Sequence, residues 1–245
     1  MSEPNEIVFL LDVDNTLLDN DRIVIDLGDH LAHEFGEENR LRYWTIFQAL
    51  RTELGYVDYL GALQRYRAGA VSDTRLLMLS SFLLDYPFEE RIFPGVFELI
   101  AHLKQWGKTV IVSDGDLVFQ PRKIQRSGLW DAVDGNVLIY QHKERMLTDI
   151  ERQYPARYYV MVDDKLLILA AMKKTWGNRL TTVFPRQGHY ATDSSDAANY
   201  PAPDIALEHI GDLIKVDIQA LLESHIASDL AEENLENLES HAESA

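Results

Sequence analysis

The sequence predicts a doubly wound, parallel α/β sheet into which a small helical bundle has been inserted. Short β-branched apolar runs alternate with helical stretches, which is the pattern of a parallel sheet covered on both faces. Nearly a hundred residues separate the first run from the second, far more than one crossover helix needs. Acidic residues stand at the ends of three runs, where open α/β sheets bind their ligands.

The strands are expected at "IVFLL" (7–11), "TVIV" (109–112), "YYVMV" (158–162) and "LTTVF" (180–184), with a fifth at "NVLIY" (136–140). Between them, "PGVFELIAHLKQWG" sets Val96, Leu99, Ile100 and Leu103 at helical spacing, with Pro94 ahead and Gly107 behind. A helix "KERMLTDIERQ" begins at Lys143, and closing helices fall near 165–175 and 208–223. The insertion spans 18–92. Its first helix carries Ile23, Leu27, Leu31 and Phe35 and ends at Gly36; its second carries Leu41, Ile46, Phe47, Leu50 and Leu54 and ends at Gly55. Two more follow in "VDYLGALQRYRAG" and "SDTRLLMLSSFLLDY", the latter opened by a Ser72 or Asp73 cap and closed before Pro87. The expected organisation is a core of 1–17 and 93–225, a helical cap of 18–92, and an acidic tail of 226–245.

With 245 residues the chain has ample material for one large core, and with no cysteine it has neither disulfides nor thiolate chemistry. A net charge of −17 argues against broad binding to nucleic acid or anionic lipid, both of which need a basic surface. No basic leader opens "MSEPNEIVFLLD" and no apolar stretch approaches the roughly 20 residues that span a bilayer, so a cytoplasmic protein is expected, a monomer or a homodimer. The tail holds six acids and neither Lys nor Arg, as a solvated end does, while its Leu230, Leu235 and Leu238 would also suit a weak amphipathic helix.

Asp12 and Asp14 follow the first strand, Ser113 and Asp114 the second, and Asp163 and Asp164 the third. Acids converging on one crevice repel one another unless a cation intervenes, and an all-oxygen set suits magnesium. Magnesium attracts phosphate, whose remaining oxygens the Ser113 hydroxyl, the amides before Gly115 and the Lys143 ammonium would hold. A lysine at a helix amino end is poorly placed unless an anion is shared there.

These residues resemble the haloacid dehalogenase superfamily, whose four motifs occur in order as "DVDNT" (12–16), "VSDG" (112–115), Lys143 and "VDD" (162–164). The resemblance covers about 1–17 and 93–215. It implies a magnesium-dependent phosphatase with Asp12 as nucleophile and Asp14 as general acid and base. It further implies that Ser113, Asp114 and Lys143 surround the phosphate, and that Asp12, the Asp14 carbonyl, Asp163 and Asp164 form the metal site. A small phosphorylated molecule is the implied substrate. Two positions depart from the family pattern: Val162 precedes the first acid of the fourth motif where glycine is common, with Leu167 and Ile168 where a second acid is usual, and Asp114 stands where asparagine is frequent.

Other readings stay open on the sequence. Asp12 and Asp14 also suit a polar turn. Dehalogenation, phosphoryl transfer to a sugar, and a non-catalytic scaffold are the rivals, although dehalogenases lack the second acid of "DVD". His30 and His33 lie three apart but have no third metal ligand. The insert has eight arginines, among them Arg40, Arg42, Arg65 and Arg67, which suit either a second anion on the substrate or surface pairing with thirteen acids. Trp44, Tyr56, Tyr59 and Tyr66 suit either the mouth of the site or a bundle core, and Gln187 and His189 a loop or the site's edge.

Overall fold

The described strands all pair in parallel with their neighbours in one six-stranded sheet. In chain order they are β1 (Asn5–Leu11), β2 (Lys108–Asp114), β3 (Val137–Tyr140), β4 (Ala156–Val162), β5 (Leu180–Pro185) and β6 (Ile205–Leu207), and across the sheet they lie in the order β3-β2-β1-β4-β5-β6. The computed structural model describes residues 5–67, 75–192 and 199–225. The Ser72 or Asp73 cap and the acidic tail therefore lie outside the described residues.

β1 is central because its side chains feed both faces. Ile7, Phe9 and Leu11 join one apolar cluster, Val8 and Leu10 the other, and all five are at most 1% exposed. The register sets Leu11 beside Ile111 and Val162, so β1 and β4 end level with one another while β2 runs on to Asp114 beside β3. The strand order reverses at β1, which makes its carboxyl end the switch point where a crevice opens.

The insertion after β1 carries, among the described residues, the helices α1 (Asn20–Phe35), α2 (Glu37–Leu54), α3 (Tyr59–Arg67) and α4 (Arg75–Leu84). Asp19 caps α1 by accepting from the Arg22 amide at 2.9 Å, and α2 stops at Gly55, whose φ of 78° suits glycine. Ile23, Leu27, Tyr43, Phe47 and Tyr59 join the cluster on the β1 face, so these helices pack onto the sheet. The outgoing and returning chains are stitched together: the Asp19 amide donates to the Arg91 carbonyl at 2.8 Å and the Phe93 amide to the Leu17 carbonyl at 3.0 Å.

After the cap come α5 (Val96–Leu103), α6 (Phe119–Arg126), α7 (Leu129–Ala132), α8 (Leu147–Gln153), α9 (Leu166–Trp176) and α10 (Gly188–Thr192). Three local expectations change. Lys143 opens a 3-10 turn, Lys143–Arg145, rather than the helix itself, and α8 starts at Leu147, because Lys143 is drawn inward by carboxylates. The closing helix at 208–223 is a 3-10 turn, Ile210–Lys215, followed by a helix from Ile218; Gly211 rides so close to the Pro94 carbonyl that an added Cβ would lie 3.0 Å from it. β6 carries no apolar run long enough to announce a strand, and Asp204 secures its approach by accepting from the Thr182 amide at 2.8 Å. No helix among the described residues is long and apolar enough to cross a membrane.

Candidate active site

Asp12 follows β1 directly, and its amide donates to the Val162 carbonyl at 3.0 Å, which holds it beside Asp163 at the end of β4. The Asp164 amide donates to Thr16 Oγ1 at 3.0 Å, tying the fourth motif to the first. Asp12, Asp163 and Asp164 are each at most 2% exposed, and their carboxylate oxygens gather within 4.8 Å. Among the described residues, Asp12 Oδ2 and both Asp164 oxygens have no hydrogen-bond partner, which is costly for buried oxygens. Burial pushes the Asp163 and Asp164 carboxyls up from the ordinary range, and mutual repulsion adds to it while Lys143 and Lys165 oppose it. A compact, all-oxygen, electron-rich cluster with orphaned oxygens fits a hard divalent cation such as magnesium.

Lys143, fully buried, donates to Asp12 Oδ1 and pairs with Asp163 Oδ2 at 2.6 Å. Burial alone would depress its ammonium, but Asp12, Asp163 and Asp114 outweigh that and raise it above the ordinary lysine range. The anion that a lysine at this place needs is thus supplied first by the acids. The Lys143 amide donates to Asp114 Oδ1 at 2.8 Å, which turns that carboxylate toward the backbone. Burial pushes the Asp114 carboxyl up to about 6, against the pull of Lys143.

Asp14 lies outside the acid trio. Its Oδ1 accepts from Lys123 Nζ at 2.6 Å and its Oδ2 from Gln120 Nε2 at 3.3 Å. Gln120 also donates to the Ser113 hydroxyl at 2.8 Å, and Lys123 also reaches Asn20 Oδ1 at 3.1 Å. Gln120 approaches because Gly115 has no side chain: a Cβ there would meet it at 2.9 Å. Gln120 and Lys123 belong to none of the sequence motifs, although both sit with Phe119 and Ile124 on the buried side of α6, a polar pair in an apolar stripe.

Asn15 adopts a left-handed φ of 60°, and its Oδ1 accepts from the Asn20 and Asp21 amides at 3.0 and 3.1 Å. It thereby caps the start of α1, so the first motif turns directly into the cap. Gly188 is packed against it; a Cβ there would fall 2.5 Å from the Asn15 Cβ.

A cavity of about 900 Å³ opens over this edge. Asp14, Asn15 and Asp114 lie in its floor, Trp44, Phe47, Arg51, Tyr56 and Tyr59 come from the cap, His142 and Lys165 from core loops, and His189 and Tyr190 from α10. Trp44 and Tyr56 thus line the mouth, Tyr59 reaches the cavity from the buried core, and Tyr66 is buried in the bundle with its hydroxyl on Asn39 Oδ1 at 2.7 Å. His189 Nδ1 meets Asp21 Oδ1 at 2.6 Å at the edge of the cavity, while Gln187 accepts from the Ile210 amide. His30 stacks on Phe82 with ring centroids 4.2 Å apart, and burial lowers its pKa, so it serves packing.

The model of the haloacid dehalogenase-like hydrolases matches residues 8–174. A solved structure described as a haloacid dehalogenase-like hydrolase from Burkholderia xenovorans is 64% identical, covers 87% of this chain and 100% of its own, and superposes with a TM-score of 0.84. A haloacid dehalogenase-like hydrolase from Xanthomonas campestris is 16% identical, with 91% and 94% of the two chains covered and a TM-score of 0.65. The L-2-haloacid dehalogenase of Xanthobacter autotrophicus, also 16% identical, covers 85% and 96% with a TM-score of 0.57. These last two share the fold. No curated protein matches the chain. With four ordered motifs at one sheet edge and a family model spanning most of the sequence, the chain belongs to the haloacid dehalogenase-like hydrolases.

Proposed function

We propose that the protein is a cytoplasmic, magnesium-dependent phosphatase acting on a small phosphorylated metabolite through an aspartyl-phosphate. The observation that carries this reading is the buried trio Asp12, Asp163 and Asp164 with its orphaned oxygens. Displacing halide from a neutral carbon by a carboxylate requires no cation, whereas bringing a carboxylate to a phosphate does.

Asp12, Asp163 and Asp164 would hold the magnesium together with the Asp14 main-chain carbonyl, and the ion would supply charge neutralisation at the phosphoryl oxygens. Asp12 attacks phosphorus, forming the Asp–O–P bond as the ester P–O bond breaks. Lys143, on Asp12 Oδ1, fixes the attacking carboxylate and offsets its charge. Asp14 passes a proton to the leaving oxygen, and when water cleaves the aspartyl-phosphate it takes one back. Lys123 and Gln120 keep its two oxygens in place between the steps. Ser113 and Lys143 take the phosphoryl oxygens, and the cap excludes bulk water.

The test is a panel of phosphorylated metabolites with magnesium and with excess chelator, run beside 2-haloacids. Magnesium-dependent release of phosphate and a covalent phosphate on Asp12 by intact-protein mass spectrometry are expected. Halide release without metal dependence would overturn the reading.

A further inference from the structure

The eight arginines of the cap raise the question of which, if any, meets substrate. Four of them pair with cap acids: Arg22 with Asp26 at 2.9 Å, Arg40 with Glu37, Arg65 with Glu53 at 2.7 Å and Arg91 with Asp26 at 3.5 Å. Arg42 lies over the Tyr66 ring at 4.8 Å. Arg51 differs in place and in partner. It stands near the end of α2 on the cavity wall, half-buried, and among the described residues no carboxylate pairs with it. Its guanidinium instead donates to the Tyr190 hydroxyl. On the core side, the Lys165 ammonium sits 5.3 Å from the centroid of the same Tyr190 ring. Two cations, one from cap and one from core, thus converge on one neutral phenol inside the cavity.

Lys165 also stands 3.9 Å from Asp164 Oδ1, whereas the acids that line the cavity are engaged elsewhere and none of them pairs with Arg51. Asp14 is held by Lys123, Asp21 by His189, Asp114 by the Lys143 amide, and Glu144 faces Arg145 at 3.4 Å. The Tyr59 hydroxyl lies within electrostatic reach of both Asp14 and Arg51, which ties the arginine to the same chamber as the catalytic edge. A half-buried guanidinium bonded to a neutral hydroxyl keeps donors for an incoming planar anion, and its fork matches a carboxylate or a phosphate.

Building on the phosphatase reading, we propose that Arg51, with Tyr190 and Lys165 beside it, forms a second anion subsite. The substrate is then a phosphate ester bearing a further carboxylate or phosphate at the end remote from the scissile bond. Tyr190 acts as a gatepost that holds the guanidinium toward the cavity until that anion arrives. Arg51 is a specificity residue, since it discriminates among leaving groups and takes no part in bond making.

The test uses non-hydrolysable ligands, so that it stands apart from turnover. Phosphonates of two to six carbons ending in methyl, in carboxylate or in a second phosphonate are titrated calorimetrically into the full chain with magnesium. At one chain length the carboxylate or bisphosphonate ligand is expected to bind at least about tenfold tighter than its methyl counterpart, and which of the two does so names the anion. Arg51→Met should collapse that preference, and Arg51→Lys, which keeps the charge, should restore part of it, with circular dichroism confirming that both variants fold. Equal affinity for charged and methyl-ended ligands at every length would overturn the subsite even if Arg51→Met failed to fold, as would a preference that survives in Arg51→Met. Hydrolysis of p-nitrophenyl phosphate by the parent chain is scored separately: its absence counts against the phosphatase reading, while the phosphonate comparison still decides the subsite.

Discussion

At the scale of single residues, the two aspartates of "DVD" have been separated by their partners. Asp12 faces Lys143 and the buried acids, and Asp14 faces Lys123 and Gln120. Asp12→Asn is expected to abolish turnover, because the attacking charge is removed. Asp14→Asn should slow it about a hundred- to ten-thousandfold on alkyl phosphates. It should do less on p-nitrophenyl phosphate, whose leaving group needs little protonation; steady-state rates on the two substrates check both. Lys123→Met removes the ammonium that positions Asp14, so the loss should again be greater for the poorer leaving group, and Lys123→Arg should recover part of it. A uniform loss on both substrates would mean that Lys123 only supports the fold.

Asp114 gives a pH signature at the same scale. Its carboxyl titrates near 6 in the folded chain against an ordinary 3.8, so between these values the folded state keeps a proton that the unfolded state has released. Stability therefore declines as pH rises through that window, and the cost is complete above about 6. Asp114→Asn retains an oxygen to accept the Lys143 amide but no charge. It should be more stable than the parent at pH 8, on the order of 2 kcal/mol, and equal to it near pH 3.5, in urea unfolding with chelator present. A variant less stable at pH 8 would refute the sign.

At the scale of elements, the short helix α10 is a strap. The His189 amide and ring both bind Asp21 of α1, Tyr190 meets Arg51 of α2, and Gly188 presses on Asn15. Gly188 needs a positive φ, 70°, and has no room for a methyl group. Gly188→Ala should accordingly cost about 2 kcal/mol in thermal or urea unfolding and disturb the turn that carries the first motif. A melting temperature unchanged to within a degree would show that the strap yields freely.

At the scale of the whole molecule, the sheet stacks three buried carboxylates at one point, a repulsion that a bound divalent ion relieves. Magnesium at about a hundred times its dissociation constant should raise stability by about 2.7 kcal/mol, and Asp163→Asn should lose most of that gain. Calorimetric scans of parent and variant with magnesium or chelator would measure it, and an equal gain in both would place the ion elsewhere.

Much of this was legible from local pattern. Short apolar runs with acids behind them specify strands and their charged ends through burial and side-chain alternation alone, so β1 to β5, the helical insert and the seven motif residues could be read in order along the chain. What the chain alone did not specify depends on approach between distant segments. β6 forms because β5 offers it an edge, Lys143 leaves its helix because Asp12 and Asp163 draw it inward, and Gln120 and Lys123 acquire meaning only where α6 lays them on Asp14. Arg51 was one arginine among eight until folding set it in the cavity wall, where no carboxylate among the described residues pairs with it. Periodicity and turn chemistry are properties of neighbouring residues and survive in the sequence, whereas hydrogen bonds and ion pairs across a hundred residues exist only once the sheet and cap have closed around them.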